Sequence, residues 1–263
     1  MGAANLISSM PSWALFALLV IIGVLATQVG FWMGRRRHQT EIKESTAHIS
    51  TAVSAILGLL SFMLGFTFST TSSRFAERKG LVISQANAIG TSYLRAGLLP
   101  DKQKITIRKL YAEYTDLLLK MPEATDIKPL FDRRDHIHML IWEQAISLEK
   151  EKDFPPAIIS LFITSVNQIF DLTEERNTVA LVFRIPDALW RALFLLNAMS
   201  MFAFGYQKGI NGNHKSFGFP ILPIAYAIVI VLIADMDSTS FRRFKVSQQP
   251  LINLQKMIRM STP

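Results

Sequence analysis

Apolar positions along this chain follow two regimes. Residues 13–33 and the 29-residue stretch 45–73 carry no formal charge, residues 217–234 carry none either, and 188–206 hold a single arginine, Arg191. About 20 such residues in a helix cross a hydrocarbon core of ~30 Å. The pattern therefore predicts membrane helices at 13–33, 49–70, 185–206 and 217–234. Between the second and third, charged positions return and apolar residues recur at helical spacing. One helix opens after Pro100-Asp101, read as a stop followed by an N-cap, with apolar Ile105, Leu110, Tyr111, Tyr114 and Leu118. Pro122 and Pro129 bracket a turn, a second helix spans roughly 130–152, and a third runs from Phe154-Pro155-Pro156 to about Phe183. No useful run alternates as a strand would. The predicted fold is all-α: an integral membrane protein with about four transmembrane helices continuous with a helical aqueous domain. Its segments are 1–48, 49–70, 71–184, 185–206, 217–234 and a tail, 235–263, that is weakly amphipathic. Nothing breaks the second helix before Gly80 and Gly90, so it is expected to run out of the bilayer as one long rod.

Only 18% of residues are charged, against a globular norm of about 25%, which buried spans account for. The net charge of +8 does not argue for nucleic acid, because segment 71–184 holds 16 Lys/Arg against 15 Asp/Glu. The excess sits beside the spans, at Arg35, Arg36, Arg37, Lys208, Lys215, Arg242, Arg243, Lys245, Lys256 and Arg259, where basic residues hold helix ends at lipid headgroups. Arg191 beside Trp190 is the same device within the third span. Membrane lipid is thus one partner. There is no cysteine, which excludes disulfides, thiolate metal sites and cysteine nucleophiles. No Lys or Arg precedes Trp13 and no cleavage pattern follows the first apolar run, so that run reads as a retained span. The start Met-Gly-Ala-Ala-Asn-Leu lacks the Ser or Thr of a myristoylation signal.

Enzyme readings find no support. His136 and His138 are two apart on a predicted helix and face different directions, so they do not share a metal in the usual way. Asp132 is spaced to pair with His136, as on any solvated face. No phosphate-cradling glycine loop, nucleophile elbow or HExxH motif is present, and no cofactor or metal is expected.

The second span carries more information. Ser54, Gly58, Ser61 and Gly65 place small residues along one stripe, a pattern that permits close helix packing. Phe62 and Phe66 project from an adjoining stripe that includes Gly58, and hydroxyl residues and Arg74 follow. Around a symmetry axis this helix would supply an aromatic constriction and then a hydroxyl-lined, positive vestibule, and such constrictions gate by dewetting. The same phenylalanines would equally serve as packing between helices.

The residues Ser61-Phe-Met-Leu-Gly-Phe-Thr-Phe, with Thr70-Thr-Ser-Ser-Arg-Phe75, resemble the second membrane helix of bestrophins. Glu175-Arg176 ahead of Arg184-Ile-Pro-Asp-Ala-Leu-Trp-Arg191 is similar to the start of their third. Over about residues 50–250 the chain looks most like a bacterial membrane family described as bestrophin-like, which shares the phrases Ser84-Gln-Ala-Asn-Ala-Ile-Gly and Leu94-Arg-Ala-Gly-Leu-Leu-Pro100. The resemblance implies a homopentameric ion channel in a cell membrane, the inner membrane of a bacterium, crossed several times and passing small inorganic ions. Five second helices would line its neck. Phe62 and Phe66 match neck positions, and the third falls on Gly58, where a bulky residue is usual. Of the acidic cluster found in calcium-controlled members, only Asp235 and Asp237 have counterparts, too few carboxylates for a dedicated Ca²⁺ site.

Arg35, Arg36 and Arg37 favour a cytoplasmic first loop, which would export segment 71–184; Arg74, Arg78, Lys79, Arg184, Arg242, Arg243 and Lys245 pull the other way. The second orientation, which the resemblance also implies, is carried forward. Two functions remain open. In the first, Phe62 and Phe66 form the constriction of a conduit, with Thr70, Ser73 and Arg74 facing ions, anions by their charge and hydroxyls. In the other, a membrane-anchored sensory or scaffolding protein binds a partner through its aqueous helices and has no pore.

Overall fold

Eight α-helices and two short 3₁₀ turns make up the regular structure among the described residues: α1 (Ser12–Gln39), α2 (Thr46–Ala96), α3 (Asp101–Lys120), α4 (Lys128–Ser147), α5 (Pro156–Leu181), α6 (Asp187–Ile210), α7 (Gly218–Asp237) and α8 (Gln249–Met260), with 3₁₀ turns at Met121–Glu123 and Leu148–Lys150. The computed structural model describes residues 7, 10–39, 46–151, 154–181, 183–212, 218–238 and 246–261. Lys215, Arg242, Arg243 and Lys245, and positions 40–45 of the first polar connection, lie outside them. The chain forms two units. Residues up to Phe75 together with Arg184–Phe244 form the first, and Ala76–Phe183 with Lys245–Pro263 the second.

In the first unit α1 packs along α6 and also against α7. The α1–α6 contact is made by backbone. A Cβ on Gly30 would lie 2.1 Å from the Phe202 carbonyl oxygen, one on Gly34 2.3 Å from that of Tyr206, one on Gly205 2.0 Å from that of Thr27, and one on Gly209 2.2 Å from that of Phe31. Glycines four apart on both helices let the two main chains touch, which any side chain at these positions forbids. The α6 helix ends where Gly212 takes φ 67°, the left-handed conformation that glycine adopts without steric cost. Asp235 and Asp237 are structural acceptors here. Ser12 Oγ donates to Asp235 at 2.8 Å, and the buried Asp237 accepts the Ile185 amide at 2.9 Å with Arg184 at 3.7 Å.

The second unit is built on α3, α4, α5, α8 and the second part of α2. Ile89, Ile107, Tyr111, Ile137, Ile141, Phe162 and Val166 make up its buried centre, with Leu251 and Ile258 of α8. The tail is therefore part of this core: apolar residues at 251, 254 and 258 are spaced on one helical face. Polar groups are buried here too. Gln85 donates to Tyr114 and Thr173 at 3.2 and 3.1 Å and accepts from Arg176, while Ser92 bonds Tyr111 at 2.6 Å and Ser165 at 3.0 Å. Every member of this seam finds a partner, as buried polar groups require.

Asp101 stands in the first turn of α3 with Pro100 at the N-cap position and makes no side-chain capping bond, unlike the sequence reading. Ile105, expected in the core, is 55% exposed, because the buried face of α3 runs through Ile107, Tyr111, Tyr114 and Leu118, roughly a third to half a turn away.

Five helices among the described residues, α1, α2, α5, α6 and α7, are long and apolar enough to cross a membrane. α5 falls within segment 71–184, whose charged positions predict an aqueous domain. Its apolar face is taken up by Phe162, Val166 and Ile169 inside the second unit, and its second half carries Asp171, Glu174, Glu175 and Arg176.

Candidate functional site

The 51-residue helix α2, roughly 75 Å long at 1.5 Å per residue, runs without a break through Gly80 and Gly90 and contributes residues to both units. Within the first unit its inward stripe is Val53, Leu60, Leu64, Thr67, Thr71 and Phe75, all buried. These positions fall on one side of the helix at 100° per residue. On the opposite side Phe62 is 69% exposed and Phe66 61%, and Ser69 and Ser73 are exposed as well. The four side chains share an arc of roughly 60°. Two aromatic rings of that size left outside a subunit's own packing call for a lumen, lipid or another copy to face.

The remaining sequence candidates are placed differently. Thr70 lies off this stripe, half-buried, with its hydroxyl donating to the Phe66 carbonyl at 3.0 Å; Thr67 and Thr71 back-bond in the same way to Met63 and Thr67. Such hydroxyls have already used their proton. Arg74 is half-buried, and its Nη1 is enclosed with no hydrogen-bond partner among the described residues. Ser69 and Ser73 carry no hydroxyl bond among the described residues, so they are the free donors in line with the rings. Ser69 was legible in the sequence as the position three beyond Phe66.

The small-residue stripe is exposed. A Cβ on Gly58 or Gly65 would meet nothing within 4 Å. Ser54 is exposed, and the Ser61 hydroxyl shares a 3.0 Å hydrogen bond with the Tyr226 hydroxyl of α7. A cleft of about 390 Å³ lies alongside, lined by Ser61, Leu64, Gly65, Phe68, Tyr226 and Val229 among others. α7 reaches the stripe only through Tyr226, and no backbone packs against its glycines among the described residues; the close seam is that of α1 and α6, whose glycines were not among the sequence candidates. No cluster of three or more metal-ligating side chains occurs among the described residues.

Comparison with known proteins matches a family model described as the bestrophin-like domain over residues 17–251. Among solved structures, an isoleucine-to-threonine point variant of a bacterial bestrophin homologue from Klebsiella pneumoniae superposes with a TM-score of 0.64 at 14% identity, covering 93% of this chain and 98% of that one. An aspartate-to-alanine variant of the Klebsiella pneumoniae homologue gives 0.64 at 16% identity, covering 93% and 96%. A structure described as a membrane protein with a proline-to-alanine substitution gives 0.67 at 12%, covering 94% and 99%. No curated protein matches.

Proposed function

The chain belongs to the bestrophin-like family, and we propose that it is an ion conduit assembled from several copies, five by the family resemblance, with the first part of α2 lining the passage. The observation that carries this reading is the outward placement of Phe62 and Phe66 on a helix whose opposite stripe is fully packed. A side chain that only packed between helices of one subunit would be covered there. In the assembly, α1, the first part of α2, α6 and α7 span a cell membrane, and residues 71–184, α5 included, stand in water. Phe62 and Phe66 form a dewetting constriction that Gly58, lacking a side chain, shortens. Ser69 and Ser73 continue the same line with free hydroxyl protons, which solvate an anion. No Asp or Glu stands on the span to form a cation-selecting ring, and Arg74 adds positive charge nearby. Small inorganic anions are therefore the proposed cargo.

Chloride flux from liposomes containing the full chain tests the reading. Changing Phe62 and Phe66 together to Ala is expected to raise flux severalfold, and changing Ser69 and Ser73 to Ala to lower the preference for anions over cations. A detergent-solubilised mass of one or two copies, or flux indifferent to both pairs, overturns the conduit and leaves a membrane-anchored scaffold.

A further inference from the structure

A second feature, within the second unit and separate from the exposed stripe of α2, has the form of a ligand site. Lys104 and Ile105 stand three and four positions after Asp101, and Arg108 and Lys109 three and four after Ile105, so the five share the outward face of α3. With the Tyr93 ring beneath and Ser261 at the end of α8, they line a cleft of about 550 Å³. That volume is in the range of small-molecule sites. Most surface helix faces with several lysines are convex and solvated. This one is concave, and its exposed apolar side chain, Ile105, sits among the cations.

Arg108 is the informative residue. Its guanidinium carbon stands 4.8 Å from the Tyr93 ring centroid. On its other side the terminal Nη2 occupies space that a Cβ on Gly97 would enter at 2.6 Å. The cation is thus clamped by an aromatic face and a glycine, and arginine stacks on rings in this manner without an acid. No carboxylate pairs with it among the described residues, and its Nε is enclosed without a hydrogen-bond partner. Among the described residues that line the cleft the one acid, Asp101, is engaged by Lys104 at 3.6 Å. Arg108 and Lys109 therefore leave two positive charges uncompensated beside an apolar wall.

We propose that this cleft binds a small organic anion with an apolar or aromatic body, its carboxylate or phosphate meeting Arg108 and Lys109 and its body lying against Ile105. The site is independent of conduction, so its test does not depend on flux. Naphthalene-2-carboxylate, titrated into the purified full chain in detergent micelles and followed by its fluorescence, is expected to bind saturably. Naphthalene-2-carboxamide, of equal size and no charge, is expected to bind at least about tenfold more weakly, the scale of a charge-assisted hydrogen bond. Arg108→Gln should lower the carboxylate's affinity by a similar factor. Ile105→Glu, at an exposed position that the fold does not need, should abolish binding even where Arg108→Gln fails to yield folded protein. Equal binding of acid and amide, saturable binding unchanged in both variants, or no saturable binding at millimolar concentration overturns the proposal. Tighter competition by dihexanoyl phosphatidate than by the naphthoate would overturn the small-molecule assignment in favour of a lipid headgroup.

Discussion

The two parts of α2 treat the same problem in opposite ways. In the first unit the helix buries an apolar and threonine stripe and leaves aromatic rings and bare glycines outside. In the second unit the helix buries polar Gln85 and Ser92 in full and surrounds them with partners from α3 and α5. Its Gly90 is covered as well, a Cβ there reaching 3.4 Å from Leu254 of α8. An unbroken helical period can thus carry a finished core along one stretch and an unfinished surface along the other. The difference lies in satisfaction: the polar seam leaves nothing to be met from outside the chain, whereas the exposed rings do.

The contrast breaks or sharpens under three changes of decreasing size. Gln85→Leu removes the acceptor of the Arg176 guanidinium, while the Tyr114 and Thr173 hydroxyls keep their 3.0 Å bond to each other, and should cost about 3 kcal/mol of stability in chemical unfolding of the full chain, since an unpartnered buried charge is more destabilising than a neutral group. A cost near zero would mean the seam is not closed. Next comes acid. His138 lies between Tyr114 and Phe170, with centroids at 5.0 and 4.4 Å. Burial, and then the Arg134 charge, hold its pKa down to about 4 from 6.5, with Asp135 opposing. The unfolded chain takes up this proton near pH 6.5 and the folded one only near 4, so stability should fall as pH drops through that window. His138→Phe should flatten that part of the profile, as measured by melting temperature against pH. The smallest effect belongs to Gly65→Ala. With open space around it, the substitution should be neutral or stabilise by up to about 1 kcal/mol, as for a helical glycine made alanine. Destabilisation on the scale of the first change would show instead that another copy closes on that stripe.

Much of this was legible from period and composition. The apolar lengths located α1, α6 and α7, and the absence of a breaker between Thr70 and Gly90 foretold the long α2. The ring pair four apart put Phe62 and Phe66 on one face without further information. What could not be read was pairing. Gly58 and Gly65 have the spacing of a packing stripe, as do Gly30 with Gly34 and Gly205 with Gly209, and spacing does not state which stripe has a complement within the chain. Only the second set does. Likewise Ile105 looked like core because it is apolar on an amphipathic helix, although Ile107 and Tyr111 define the buried direction. The tail, read as weakly amphipathic, is instead a 12-residue helix that buries Leu251, Leu254 and Ile258 on one face, a stripe of only three apolar positions that a short helix makes count by docking more than by propensity.

The glycine seam of α1 and α6 also bears on biogenesis. Gly30 rests against Phe202, whose position is 172 residues later in the chain. At a translation rate of about 5–20 residues per second, the leading helix emerges roughly 9 to 34 seconds before its mate. Throughout that interval its notched side has no protein to fill it, so the nascent polypeptide must be shielded by acyl chains or by the insertion machinery until the later helix arrives.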